Sequence, residues 1–222
     1  MAARSPSWPY VAPFAIFLGF LALSPYLPGG PEITYPLRVV AVSAALVLWS
    51  RNFISLRCSH FGASVLLGLA VFVIWVGPDL IWPGYRAHWL FQNSLTGRLT
   101  SSIPEAARQN ILFLAWRFAG MALLVPVVEE LFWRAWLMRY AIKHDFRSVA
   151  LGAYNVWAFW LCAVLFASEH GPYWDVGLAA GAAYNWWMVR TRSLGDCILA
   201  HAVTNASLFA YVLYSGQWEY LL

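Results

Sequence analysis

Two adjacent carboxylates, Glu129 and Glu130, stand just before Arg134 in VPVVEELFWRAWLMR, a stretch otherwise apolar enough to cross a membrane. Arg117 and Arg139 bracket it, and at the helical rise that interval spans roughly the 30 Å of a hydrocarbon core. The three charges therefore fall near mid-bilayer, where an ionisable residue is expensive and points to function. Glu130 and Arg134 are i,i+4 on one face, where a carboxylate and a guanidinium pair. Glu129 lies roughly 100° round the helix and has no counter-ion in its own segment, the setting of a general base. Further along, His170 ends an apolar run in FASEHGP, and His201 and Asn205 are i,i+4 on another. Two carboxylates, an arginine, two histidines and an asparagine can thus converge in one buried polar cavity.

The elements that must position them follow from composition. The chain has 222 residues, 61% of them hydrophobic and 11% charged, with a mean hydropathy of +0.61. Such a sequence is expected to fold as an all-α, polytopic transmembrane bundle of about seven spans, six to eight at the limits. The apolar segments run over 11–27, 37–49, 63–76, 118–138, 149–168, 174–189 and 197–215, the second and sixth being short. Residues 1–222 read as one integral-membrane domain without internal repeats. Basic residues are almost all arginine, with Lys143 the single lysine, and they cluster in short loops rather than on a stripe. That favours membrane topology over nucleic-acid binding. Arg4, then Arg51 and Arg57, then Arg139, Lys143 and Arg147, then Arg190 and Arg192 mark one side. The N-terminus is therefore expected in the cytoplasm and the C-terminus outside, in the cell membrane. The loop over 77–110, with Arg86, Arg98 and Arg108, breaks the pattern, and long loops weigh less in this rule.

Local signals refine the picture. Pro126 cannot donate its backbone hydrogen bond and is expected to kink the helix one turn before the glutamates, opening room for a water. Trp82, Trp89 and Phe91 give the long loop an interfacial character, and Ser102 followed by Glu105 is a capping-box pattern. From there to Arg139 is too long for one straight crossing, so a tilt, a break or a surface segment is expected. Gly171 and Pro172 stop the helix at His170, and the sixth span that follows is short, so the His170 turn is expected inside the bilayer. His201 is nine residues past Arg192, about 13 Å deep if helical. Cys58, Cys162 and Cys197 have no metal-type spacing and suggest no disulfide framework.

Glu129-Glu130-x-x-x-Arg134, Phe166-x-x-x-His170 and His201-x-x-x-Asn205, in that order, resemble the three motifs of the CAAX protease and bacteriocin-processing family, which includes the type II CAAX prenyl endopeptidases. The resemblance covers about Phe118 to Ser207. Residues 1–109 carry no motif, leaving 110–222 as the catalytic core. The interval between the first two motifs is long for the family, which marks the loop around Lys143 to Gly152 as an insertion. The compact chain is similar to the branch associated with bacterial exosortase sorting systems. The resemblance implies a metal-independent glutamate peptidase without a cofactor, acting on a peptide or protein substrate, lipidated or not, reached through the bilayer. It also implies that Glu129 and His170 activate a water, that His201 and Asn205 form an oxyanion hole, and that Glu130 and Arg134 organise the site. These roles suit the residue types. Phe166 is expected in packing, and Trp133, one turn from Glu129, as a cavity wall beside it.

Three other readings stand beside this one. An intramembrane Glu–Arg pair often serves as glue between helices. Glu129, His170 and His201 plus a water can make a catalytic zinc site, although no HExxH is present. A proton-coupled transporter or an immunity-type binding protein can use the same groups as a relay, although paired inverted repeats are missing.

Overall fold

In hydrocarbon each backbone N–H and C=O must find its partner within the segment, so long apolar stretches cross as helices. The computed structural model describes residues 5–221, so Arg4 of the orientation argument lies outside the described residues. It is 74% helix without a strand among those residues. Seven principal helices follow one another: α1 (Trp8–Leu23), α2 (Gly30–Ser50), α3 (Phe61–Ile81), α4 (Ile111–Tyr140), α5 (Val156–Ser168), α6 (Trp174–Thr191) and α7 (Leu194–Ser215). Five stretches, α1 with the turn after it, α2, α3, α4 and α7, are long and apolar enough to cross a membrane. Their outward faces carry Val47, Leu66, Val73 and Leu123, each more than half exposed, as suits contact with lipid. The chain is a multi-pass membrane protein.

Several boundaries depart from the sequence reading. The second span begins at Gly30 rather than Leu37 and has 21 residues, so it is not short. Pro31, Glu32 and Pro36 break the apolar run, yet a proline and an acid are well suited to a first helical turn. The fifth helix begins at Val156 rather than Val149. Gly152 takes a positive φ of 72°, and Asn155 Oδ1 accepts from the Ala158 N–H at 3.1 Å to start the helix there. Ser102 does not form a capping box. Its N–H and Oγ both donate to the Leu221 carbonyl, at 2.9 and 2.8 Å, while α4 is capped by Asn110, whose Oδ1 accepts from the Phe113 N–H. Phe91 is buried against Tyr85 and Trp174 rather than interfacial.

The 30 residues of α4 form one continuous helix whose ladder changes pitch twice. Residues Ala119–Leu124 and Trp133–Leu137 are π-helical and flank the α-helical turns Val125–Phe132. Pro126 accounts for the first change. The Val125 N–H reaches back to the Gly120 carbonyl, so Met121 O is left for residue 126, which has no N–H to give. The expected kink is therefore a widened turn. Close packing of small residues brings α3 onto α7: a side chain at Gly68 would strike the Ala200 carbonyl. Thr204 Oγ1 donates to Gly68 O at 2.9 Å along the same seam.

Candidate active site

The charge cluster is built from α4 outward. Glu130 and Arg134 are both fully buried, and Arg134 Nη1 donates to Glu130 Oε1 at 3.1 Å. Arg134 Nε donates to Asn185 Oδ1 at 3.0 Å and Nη2 to Gly181 O at 3.3 Å, both on α6. Asn185 in turn donates to Phe159 O of α5 at 2.7 Å. The guanidinium lies 4.5 Å from the Phe166 ring centroid. One buried cation thus ties α4, α5 and α6 together.

The same Glu130 Oε1 lies 2.9 Å from His201 Nδ1 on α7. A carboxylate already taking a guanidinium bond accepts here, so Nδ1 carries the proton and Nε2 is directed elsewhere. Tyr184 stacks on the His201 ring, centroids 5.0 Å apart.

His170 sits where α5 has ended. Its Nδ1 lies 2.7 Å from the Phe166 carbonyl, an acceptor only, so Nδ1 is protonated and Nε2 holds the lone pair. The ring is held between Phe166 and Trp75, with centroids 4.7 and 5.1 Å away. A side chain at Gly177 would press on the His170 ring at 3.2 Å, so α6 can approach only because that position has none. The 13 residues of α5 rise roughly 20 Å, less than the hydrocarbon thickness.

A cavity of about 320 Å³ is lined by Glu129, His170, His201 and Asn205, with Phe166 and Glu169. Glu129 is 7% exposed, and its Oε2 has no hydrogen-bond partner among the described residues. Asn205 Nδ2 donates to Met121 O at 2.9 Å, the carbonyl that Pro126 leaves unpaired. Of the residues singled out from sequence, Glu130 and Arg134 stand behind the cavity and reach it through His201. Trp133 packs against Phe166 and Phe14, with centroids 6.2 and 5.5 Å away. Among the described residues no three His, Cys, Asp or Glu side chains are grouped as ligands for a metal ion.

Sequence reasoning missed Glu169. It shares the cavity and is an electrostatic neighbour of Glu129; the only signal was its place beside His170. It also missed Arg86, which donates from Nη1 to Pro172 O and Asp175 Oδ1, both at 2.7 Å, and from Nε to Asp79 at 3.0 Å. Burial opposes its charge, and the two carboxylates outweigh that and raise its proton affinity. Arg86 therefore anchors the turn after His170, which explains why it breaks the charge pattern of the loops.

Residues 111–207 match the model of a family described as type II CAAX prenyl endopeptidase Rce1-like, a span that holds all three motifs. No curated protein and no solved structure matches the chain. Over residues 111–207 the chain thus resembles the Rce1-like domain of the type II CAAX prenyl endopeptidases, in line with the motifs read from its sequence.

Proposed function

We propose that the protein is an intramembrane endopeptidase in which Glu129 and His170 activate a water against a peptide carbonyl. The observation that carries this is the meeting, in one cavity, of a buried carboxylate oxygen without a partner and an imidazole whose Nδ1 is committed to a backbone carbonyl. Glu129 takes a proton from the water, the hydroxide adds to the carbonyl carbon, and His170 Nε2 orients the water by accepting its second hydrogen. The tetrahedral oxyanion accepts from the Asn205 N–H that Met121 leaves over. Donation from His201 Nε2 requires the imidazolium, because its other N–H is given to Glu130. Collapse breaks the C–N bond, and the proton held on Glu129 passes to the leaving amine. Glu130 and Arg134 position His201. The mechanism needs no cofactor. The substrate is a peptide or protein reached through the bilayer of the cell membrane, with the N-terminus of the enzyme in the cytoplasm.

The test is purified protein in lipid nanodiscs against peptides drawn from the products of neighbouring genes, with cleavage read by mass spectrometry. Wild type is expected to cut at one bond and Glu129→Gln at none. Turnover by Glu129→Gln near the wild-type rate removes the base assignment.

A further inference from the structure

A cavity that activates water must also hold the rest of the substrate, and beyond Asn205 its wall becomes cationic. Arg38 of α2 and Arg117 of α4 both line it. Each guanidinium carbon lies 4.4 Å from the centroid of the same ring, Tyr35. Among the described residues no Asp or Glu is within ion-pair distance of either. Arg117 is 7% exposed; its Nη2 donates to Ser102 Oγ at 3.0 Å, while its buried Nε has no hydrogen-bond partner among the described residues. The other buried arginines are provided for differently. Arg134 has Glu130, Arg86 has Asp79 and Asp175, and Arg139 gives two bonds to the Phe146 carbonyl.

Two like charges held together by an aromatic ring inside apolar helices are costly in themselves, and intramembrane cations without a protein counter-ion mark a path for something charged. A planar fork of donors matches a carboxylate. The position fits a substrate path as well. A second cleft of about 400 Å³ is lined by Tyr35, Arg38 and Arg117 again and by Ser24 and Gly30 at the α1–α2 turn. The arginines therefore stand between the catalytic cavity and that cleft.

We infer that Arg38 and Arg117 form a carboxylate subsite that binds an anionic group of the peptide substrate and so fixes which bond reaches Glu129. Calling the ligand a substrate rests on the endopeptidase reading. The carboxylate is either the α-carboxylate at the peptide's end or an acidic side chain. Arg117 precedes Glu129 by 12 positions on α4, roughly 18 Å along the axis. An extended chain covers that in about five residues, and fewer as the arginine side chains lean toward the cavity. The scissile bond should thus lie about three to five residues from the anionic group.

The probe is a set of ten-residue Ala/Leu/Val peptides, fluorescently labelled at the N-terminus, ending in a free carboxylate, in an amide, or in an amide with one internal Asp. Binding is measured by anisotropy to the Glu129→Gln protein in phosphatidylcholine nanodiscs. One of the two acidic peptides should bind at least tenfold tighter than the plain amide, and which one it is names the source of the carboxylate. Arg38→Gln with Arg117→Gln should abolish the difference. If that pair does not fold, Arg38→Lys, which keeps the charge and loses the fork, should at least halve it. Equal binding of acids and amide, or a preference that survives the substitutions, overturns the subsite. So does loss of the preference on adding phosphatidylglycerol, which would assign the arginines to lipid phosphate. Wild-type turnover of the same peptides is scored separately. Cleavage without acid preference removes the subsite alone, and acid preference without cleavage of any peptide counts against the endopeptidase and leaves the subsite standing.

Discussion

Exchanging Glu130 for glutamine keeps the shape of the side chain and removes one charge from a place with no water to compensate. In the native protein Glu130 Oε1 accepts from Arg134 at 3.1 Å and from His201 at 2.9 Å, and both Glu130 and Arg134 are fully buried. Breaking a buried ion pair from one side costs about 3–5 kcal/mol. Arg134 would keep the Asn185 and Gly181 oxygens, which places the cost near the lower figure. For a chain of this size each kcal/mol moves the melting temperature by about 2–4 °C, so Glu130→Gln should melt about 6–12 °C below wild type. A mere interhelical hydrogen bond in a membrane averages about 0.6 kcal/mol, or roughly 1–2 °C, so the two effects are separable. Glu129→Gln is the control at the neighbouring position. Its carboxylate has an oxygen without a hydrogen-bond partner, so losing the charge should leave the melting temperature unchanged within about 2 °C while cleavage disappears. The assay is intrinsic tryptophan fluorescence on heating in detergent, completed by Arg134→Gln and the double variant as a coupling cycle. If Glu130→Gln melts together with Glu129→Gln, the Glu130–Arg134 pair does not hold the helices and the reasoning fails.

Asn205→Ala should lower kcat about a hundredfold at nearly constant KM and also melt a few degrees lower, since Met121 O loses its donor; a variant that is destabilised yet fully active per folded molecule removes the oxyanion role. Activity should survive exhaustive chelation, with no stoichiometric zinc by elemental analysis, whereas loss on stripping and recovery with one zinc per chain would favour a metallopeptidase. A reporter fused after Leu222 should be active only outside the cytoplasm and one inserted near Lys143 only inside, and the reverse pair would refute the orientation. Arg86→Gln should lower both melting temperature and kcat by loosening the turn that follows His170, whereas unchanged kinetics would show that Arg86 holds only the loop.

What the sequence disclosed and what it hid follow a physical rule. The pairing of Glu130 with Arg134 was legible because i,i+4 spacing fixes the helical face whatever the rest of the fold does. The helices were legible because hydrocarbon leaves the backbone little choice. The start of α2 was not, because hydropathy registers Pro31, Glu32 and Pro36 as an interruption while a helical first turn accepts them. Arg86 and Glu169 were missed because their partners lie on other segments: Asp79 and Asp175 for the one, the cavity around Glu129 for the other. Spacing along one helix says nothing of either. The two π segments of α4 were hidden for a further reason, since a change from i→i+4 to i→i+5 bonding leaves apolar composition untouched.

Pro126 and Asn205 show how such a hidden feature connects to the site. Proline removes the one N–H that could serve Met121 O, and an unpaired carbonyl at this depth is costly. Asn205 supplies the missing donor from α7, which fixes the height of that helix against α4 about two turns before Glu129. An amide carries two N–H bonds. Spending one on Met121 immobilises the side chain and leaves the other for the cavity that Asn205 lines. A donor to a developing oxyanion is effective in proportion to how little it must reorganise when charge appears. The backbone defect in α4 and the proposed oxyanion donor in α7 are therefore one device: the proline creates the acceptor that holds the asparagine still.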